Sequence, residues 1–224
     1  QILKICNRYD FICPICNNFN AFYRLKRDIC RPLNREEDGH PQSWRWSVEG
    51  YENIDPKLFM FGTCRSCFHT GELDNVEFRV SPRDPEKFCR LFSEDGLKRI
   101  RNRGEDAFSF SKALGLLAVK ESSIIGAIAR VHLGVFSKCL QRKIVPGDIA
   151  RYYLRLAWLY RDQEKYFADE DMVGIKEQLD AVTQAWQKEF PENVEYKIKP
   201  EIALEESSAL RLSREFFQLN YQSL

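Results

Sequence analysis

Cys13-Pro14-Ile15-Cys16 and Cys64-Arg65-Ser66-Cys67 are the stretches whose reading decides the fold of this chain. Two Cys-x-x-Cys units, each beside strand-like residues, have the spacing of a four-thiolate structural zinc site. Each pair grips one side of an ion through a tight turn. Two such turns supply a closed tetrahedron with no position left open for a substrate. The pattern points to structure before catalysis, with Cys13, Cys16, Cys64 and Cys67 as ligands and Zn²⁺ as the cofactor. The competing reading is a pair of redox dithiols, but neither unit has the strand-then-helix setting of a thioredoxin-type motif.

Outward from the first knuckle, residues 1–12 lean towards strand, with Tyr9, Phe11 and Ile12 leading into Cys13. Just past the second cysteine a knuckle needs a left-handed residue; glycine costs least there, and asparagine, here Asn17, is next best. Residues 21–29 read as a strand with basic residues on one side. Residues 30–56 are polar and turn-rich, although Trp44 and Trp46 alternate as in a strand. Lys57–Thr63 is expected to deliver the second knuckle as a strand, and Val76, Phe78 and Val80 to form another. The long separation of the knuckles is tolerable, because loop closure costs only about 0.6 kcal/mol more per doubling of length.

From Asp84 the apolar period changes from 2 to about 3.6. The spacing predicts a short helix interrupted at Gly96 and ended at Gly104, then helices over 105–120 and from Ser122 or Ser123 onward. Asp148 reads as the N-cap of a helix over 149–161, which is apolar almost all round except for Arg151, Arg155 and Asp162. Further helices are predicted over 171–190, stopped by Pro191, and from Pro200 onward.

Together these residues resemble a bacterial family known only as a domain of unknown function, whose members pair a split CPxC and CxxC zinc ribbon with tetratricopeptide-like helices. The matching pieces are Cys13–Cys16, Leu25-Lys26-Arg27-Asp28, Asp55–Phe59 before Cys64–Cys67, and Tyr152–Arg161. The resemblance implies a non-enzymatic interaction role. The family's usual glycine after each knuckle is replaced here by Asn17 and Phe68, and the insertion over 30–51 is longer than the family pattern.

The helix over 150–160 resembles one half of a tetratricopeptide hairpin, and Ala181, Ala185 and Phe190-Pro191 resemble the other; the bland alternative is a plain bundle with core aromatics. His69 reads as a surface histidine at a strand exit, His132 as a satisfied core histidine, and His40 as part of a polar loop with no constellation. Arg65 or Lys26 is placed to offset the −2 charge of a zinc–tetrathiolate centre. No metalloprotease, nucleophile-elbow, Walker or dinucleotide pattern is present in the sequence.

Composition adds bounds. Net charge is +1, with 44% hydrophobic and 30% charged residues, the profile of an ordinary globular chain with no global field for nucleic acid or anionic membranes. Four of the eight cysteines lie outside the knuckles and are scattered, which suits a reducing compartment and a cytoplasmic location. No apolar run reaches the roughly 20 residues of a membrane span. The chain starts without methionine and stops within a helical pattern, so segments beyond both ends are expected.

The expected fold class is α+β, with a small β-rich zinc ribbon over 1–82 followed by an all-α, tetratricopeptide-like array over 83–224. The expected function is a protein-interaction scaffold or adaptor, with Arg151 and Arg155 as partner-binding residues. The alternative is nucleic-acid binding through the basic stretch 79–103. On this two-unit layout, Cys64→Ser should unfold residues 1–80 and leave the later helices intact.

Overall fold

The computed structural model describes residues 2–74, 84–101, 109–120, 123–166, 172–189 and 200–222. β1 (Cys6–Ile12) and β2 (Phe19–Leu25) form an antiparallel hairpin around the first knuckle. β5 (Phe61–Thr63) and β6 (Thr70–Glu72) do the same around the second. The strand expected from Lys57 is shorter than its sequence suggested. Pro56–Phe59 forms a 3-10 turn, with Pro56 in its first position and the Asp55 side chain accepting from the Lys57 amide at 2.9 Å. Asp-Pro is a helix-start signature, and it outweighs the strand preference of Leu58 and Phe59.

The polar insertion is a hairpin rather than a loop. β3 (Cys30–Arg35) pairs with β4 (Pro41–Trp46), placing Cys30 opposite Trp46 and Pro32 opposite Trp44. Gly39, at φ +82°, closes its turn, in the left-handed region that glycine enters at no steric cost.

The helical part begins with α1 (Pro85–Cys89), capped by Asp84, and α2 (Glu94–Arg101). Gly96 lies inside α2, so the interruption falls before Glu94 rather than at the glycine. α3 (Ser109–Ala118) is followed by α4 (Ile124–Cys139), where Ser123 caps by accepting from the Gly126 amide at 3.1 Å. α5 (Pro146–Arg161) starts earlier than expected. Val145 is its cap and Pro146 its first residue, so Asp148 lies inside the first turn, paired with Lys138 at 3.1 Å and Arg151 at 2.7 Å. The short α6 (Gln163–Tyr166) precedes α7 (Met172–Glu189), and α8 (Glu206–Gln222) closes the fold.

Pro200 does not start α8. Residues 200–205 form a strap that is neither helix nor strand, with side chains bonded to several of its backbone groups. Trp186 Nε1 donates to the Pro200 carbonyl at 2.7 Å, and Tyr160 donates to that of Ala203 at 2.8 Å. His132 Nε2 accepts from the Ala203 amide at 3.0 Å, while its Nδ1 lies 3.0 Å from the Ile128 carbonyl. His132 is thus the satisfied core histidine that its apolar stripe predicted. A buried strap needs such partners, because an unpaired buried backbone group costs as much as a lost hydrogen bond.

α4 is buried along almost its whole length. It packs on α3, α5 and the β5–β6 hairpin. The two helices that resemble a tetratricopeptide hairpin have their main neighbours elsewhere: α5 lies against α8 and α4, and α7 against α3. Knuckle residues Phe11, Cys13, Cys64 and Cys67 belong to the same hydrophobic cluster as Ile128, Tyr152 and Trp186. Phe61 of β5 meets Tyr152 of α5 edge-on at 5.0 Å. The expected boundary at 82/83 and the strand over Val76, Phe78 and Val80 lie outside the described residues. So do Arg79, Arg83 and Arg103 of the basic stretch, the helix end expected at Gly104, and Pro191. Among the described residues, no helix is long and apolar enough to cross a membrane.

An ionic cluster fastens the insertion to the helices. His40 is buried, with Nδ1 3.1 Å from Glu36 and Nε2 3.0 Å from Asp162. Lys57, also buried, reaches Asp162 at 2.7 Å and Asp55 at 3.1 Å. Arg161 at the end of α5 pairs with Glu36, with Asp38 at 3.0 Å and with Glu206 at 2.7 Å. The expectation that His40 carries no constellation is therefore corrected. Asp162 lies 122 residues downstream of it, a separation that no local pattern reveals.

Candidate metal centre

The two knuckles are built alike. In the first, the Asn17 amide donates to the Cys13 carbonyl at 2.8 Å, and the Cys13 amide to the Asn18 carbonyl at 2.9 Å. In the second, the Phe68 amide donates to the Cys64 carbonyl, and the Cys64 amide to the His69 carbonyl, both at 2.9 Å. These bonds require a left-handed residue after each second cysteine: Asn17 has φ +57° and Phe68 φ +60°. For an aromatic residue this conformation is strained. Packing holds it, because the Phe68 ring lies on Gly115 of α3, where a Cβ would come within 2.2 Å of it.

Facing each other, the knuckles bring Cys13, Cys16, Cys64 and Cys67 within 4.8 Å of one another. Cys13 and Cys67 Sγ are 3.6 Å apart, as are Cys16 and Cys64 Sγ. A tetrahedron with metal–sulfur bonds of about 2.3 Å has sulfur–sulfur edges of about 3.8 Å. The four sulfurs have the spacing to hold one metal ion, and all four cysteines are free of disulfides.

Electrostatics agree. Hydrogen bonding from Cys67 lowers the Cys16 thiol to about 5, and contact with Cys13 holds Cys64 well below the ordinary thiol range. Contact with Cys64 raises Cys13, and contact with Cys13 raises Cys67. Four crowded sulfurs cannot all be thiolates unless a cation replaces the protons they share.

Asn20 is the residue that sequence reasoning missed. It is buried between the hairpins, donating to the Asn18 carbonyl at 3.0 Å and to Cys64 Sγ at 3.4 Å while accepting from the Arg65 amide at 2.9 Å. The sulfur is oriented by the same side chain that ties the knuckles together. A polar residue at an inward position of β2 was the only available signal.

The helical part supplies a cation to the knuckle backbone. Lys26 donates to the Lys4 carbonyl at 3.0 Å. Arg101 donates to the Ile15 carbonyl at 3.0 Å and to Cys89 Sγ at 3.5 Å. His69 is buried rather than on the surface, with its ring 5.3 Å from Phe88. Burial lowers it to about 4. Arg151 is half-exposed and paired with Asp148. Arg155 is turned inward, paired with Glu72 of β6 and 5.9 Å from the centre of the Phe61 ring.

A family model described as an uncharacterized protein conserved in bacteria (DUF2225) matches residues 7–217. No curated protein and no solved structure matches this chain.

Proposed function

The chain belongs to the uncharacterized bacterial family whose model spans residues 7–217, and from that premise we propose that it is a non-enzymatic protein-interaction module built on a structural zinc site. The observation that carries this is the closed arrangement of four sulfurs within 4.8 Å, which supplies every ligand of a tetrahedral ion and leaves no vertex for a substrate. Sulfurs this close suit one tetrahedral ion rather than a cluster of several irons, and we take that ion to be zinc, the usual occupant of paired Cys-x-x-Cys turns. Cys13, Cys16, Cys64 and Cys67 bind the ion, and Asn20 orients Cys64 and closes the gap between the turns. The ion locks two short hairpins that are too small to be stable in isolation. The surface they present with the helical array, whether or not that array is a true tetratricopeptide repeat, is the working part of the molecule.

Two measurements test the reading. Elemental analysis of reduced, purified chain should give one zinc per chain, and Cys64→Ser should lose it; sub-stoichiometric metal in the parent chain sinks the metal assignment. Affinity capture from the native cell, with the metal site intact, should return a protein in stoichiometric amount. Recovery of nucleic acid that is lost between ~50 and ~200 mM salt would instead support the basic stretch 79–103 as the functional surface.

A further inference from the structure

α1 and α2 reach both knuckles. Adjacent residues of α1 touch different ones. The Phe88 ring meets His69, just past the second knuckle, edge-on at 5.3 Å, and the Cys89 thiol donates to the Pro14 carbonyl of the first at 3.4 Å. From the end of α2, Arg101 Nε donates to the Ile15 carbonyl at 3.0 Å, and its Nη2 donates to Cys89 Sγ at 3.5 Å. Both carbonyls between Cys13 and Cys16 are thus held by side chains of the helical part. The link between α1 and α2 is itself tied down. Arg142, beyond α4, donates its amide to the Leu91 carbonyl at 2.7 Å and its Nε to the Phe92 carbonyl at 2.9 Å.

Of the four ligand cysteines, Cys13, Cys64 and Cys67 are buried and Cys16 is partly exposed. Ile15 directly precedes Cys16. The guanidinium on its carbonyl fixes the turn from which Cys16 projects. It also brings a positive charge to a centre whose ion and four thiolates would sum to −2. Partners that orient a metal's ligands in this way typically change metal affinity by about 10–100-fold.

Resting on the metal-site reading above, we propose that α1 and α2 form a clasp on the first knuckle that slows loss of the ion, with Arg101 as its positioning residue. The ion leaves past Cys16, the one ligand that solvent reaches, and the clasp keeps that thiolate from swinging away. Cys89 completes the clasp, accepting from Arg101 while donating to Pro14. Arg142 anchors it to the helical core.

The full zinc-loaded chain is mixed with excess EDTA under reducing conditions, and the zinc retained is followed over time. Arg101→Ala should release zinc about tenfold faster than the parent. Arg101→Lys, which keeps the charge but loses the planar fork, should fall between the two. Arg90→Ala removes a cation of the same stretch that pairs with Glu86, and it should release at the parent rate. Arg101 is exposed, so the unfolding midpoint of zinc-loaded Arg101→Ala should stay at the parent value. Co²⁺-loaded forms of all four chains should share one thiolate absorption spectrum, because the ligand set is unchanged. Parent-rate release from Arg101→Ala, equal acceleration in Arg90→Ala, or a midpoint lowered enough to account for the faster release would overturn the proposal. A parent that holds zinc beside an unaffected Arg101→Ala refutes the clasp and leaves the metal site standing; a parent that binds no zinc overturns both.

Discussion

Asn17 and Phe68 hold the same left-handed backbone by different means, and substitutions separate them. Asn17 tolerates φ +57° through its short side chain. Asn17→Gly should raise stability by about 0.5 kcal/mol, and Asn17→Val should lower it by about 1–2 kcal/mol, in urea titrations of zinc-loaded protein. Phe68 depends on Gly115, so Gly115→Ala drives a methyl into the ring. A loss of about 2 kcal/mol is expected from such overpacking. His132 supplies a pH prediction at the same scale. Burial lowers it to about 4 in the folded chain, against about 6.5 when unfolded. The unfolded state binds the extra proton, so the contribution is fully present above pH 6.5 and is lost as pH falls towards 4. The expected loss is of the order of 3 kcal/mol, read as a falling urea midpoint; a His132→Gln chain should lack that part of the slope.

At the scale of elements, the β3–β4 hairpin shows how far apart cause and effect can lie. Its sequence has strand alternation only at Trp44 and Trp46, and its Pro32 and Pro41 argue against a central strand. It is held as an edge hairpin by the cluster of His40, Lys57 and Asp162. Asp162→Ala should cost about 3–5 kcal/mol, because it leaves a buried lysine with only Asp55 as its partner. A change below 1 kcal/mol would mean that the cluster is not what holds the hairpin. Helix starts were legible wherever the capping side chain is local, as at Asp84 and Ser123. They were misplaced where a proline, as at Pro146, or a tertiary strap, as over 200–205, overrode the apparent cap.

At the scale of the molecule, the knuckles and helices share one core, and this changes what metal loss should do. The two-unit expectation was that Cys64→Ser would unfold residues 1–80 alone. Cys13, Cys64 and Cys67 instead lie in the cluster that contains α4 and α5, and Arg155 and Phe61 join the second knuckle hairpin to α5. Chelation or Cys64→Ser should therefore lower the helical transition as well, seen as a reduced far-UV melting midpoint and new protease cleavage beyond residue 124. Helices that melt at the parent temperature after complete zinc removal would favour the two-unit layout instead.

The spacing of two Cys-x-x-Cys units picked out the four cysteines that the fold brings within 4.8 Å, because a short turn sets both of its thiols on one side whatever surrounds it. The change of apolar period at Asp84 determined the α+β division in the same local way. Only the tertiary structure decided that His40 and His69 are buried, that Asn20 donates to Cys64 Sγ, that Arg155 faces inward, and that the cysteine turns rest on the helical core. Each of these depends on partners distant in sequence, and burial is a property of the partners a residue meets, which its own neighbours in the chain do not specify.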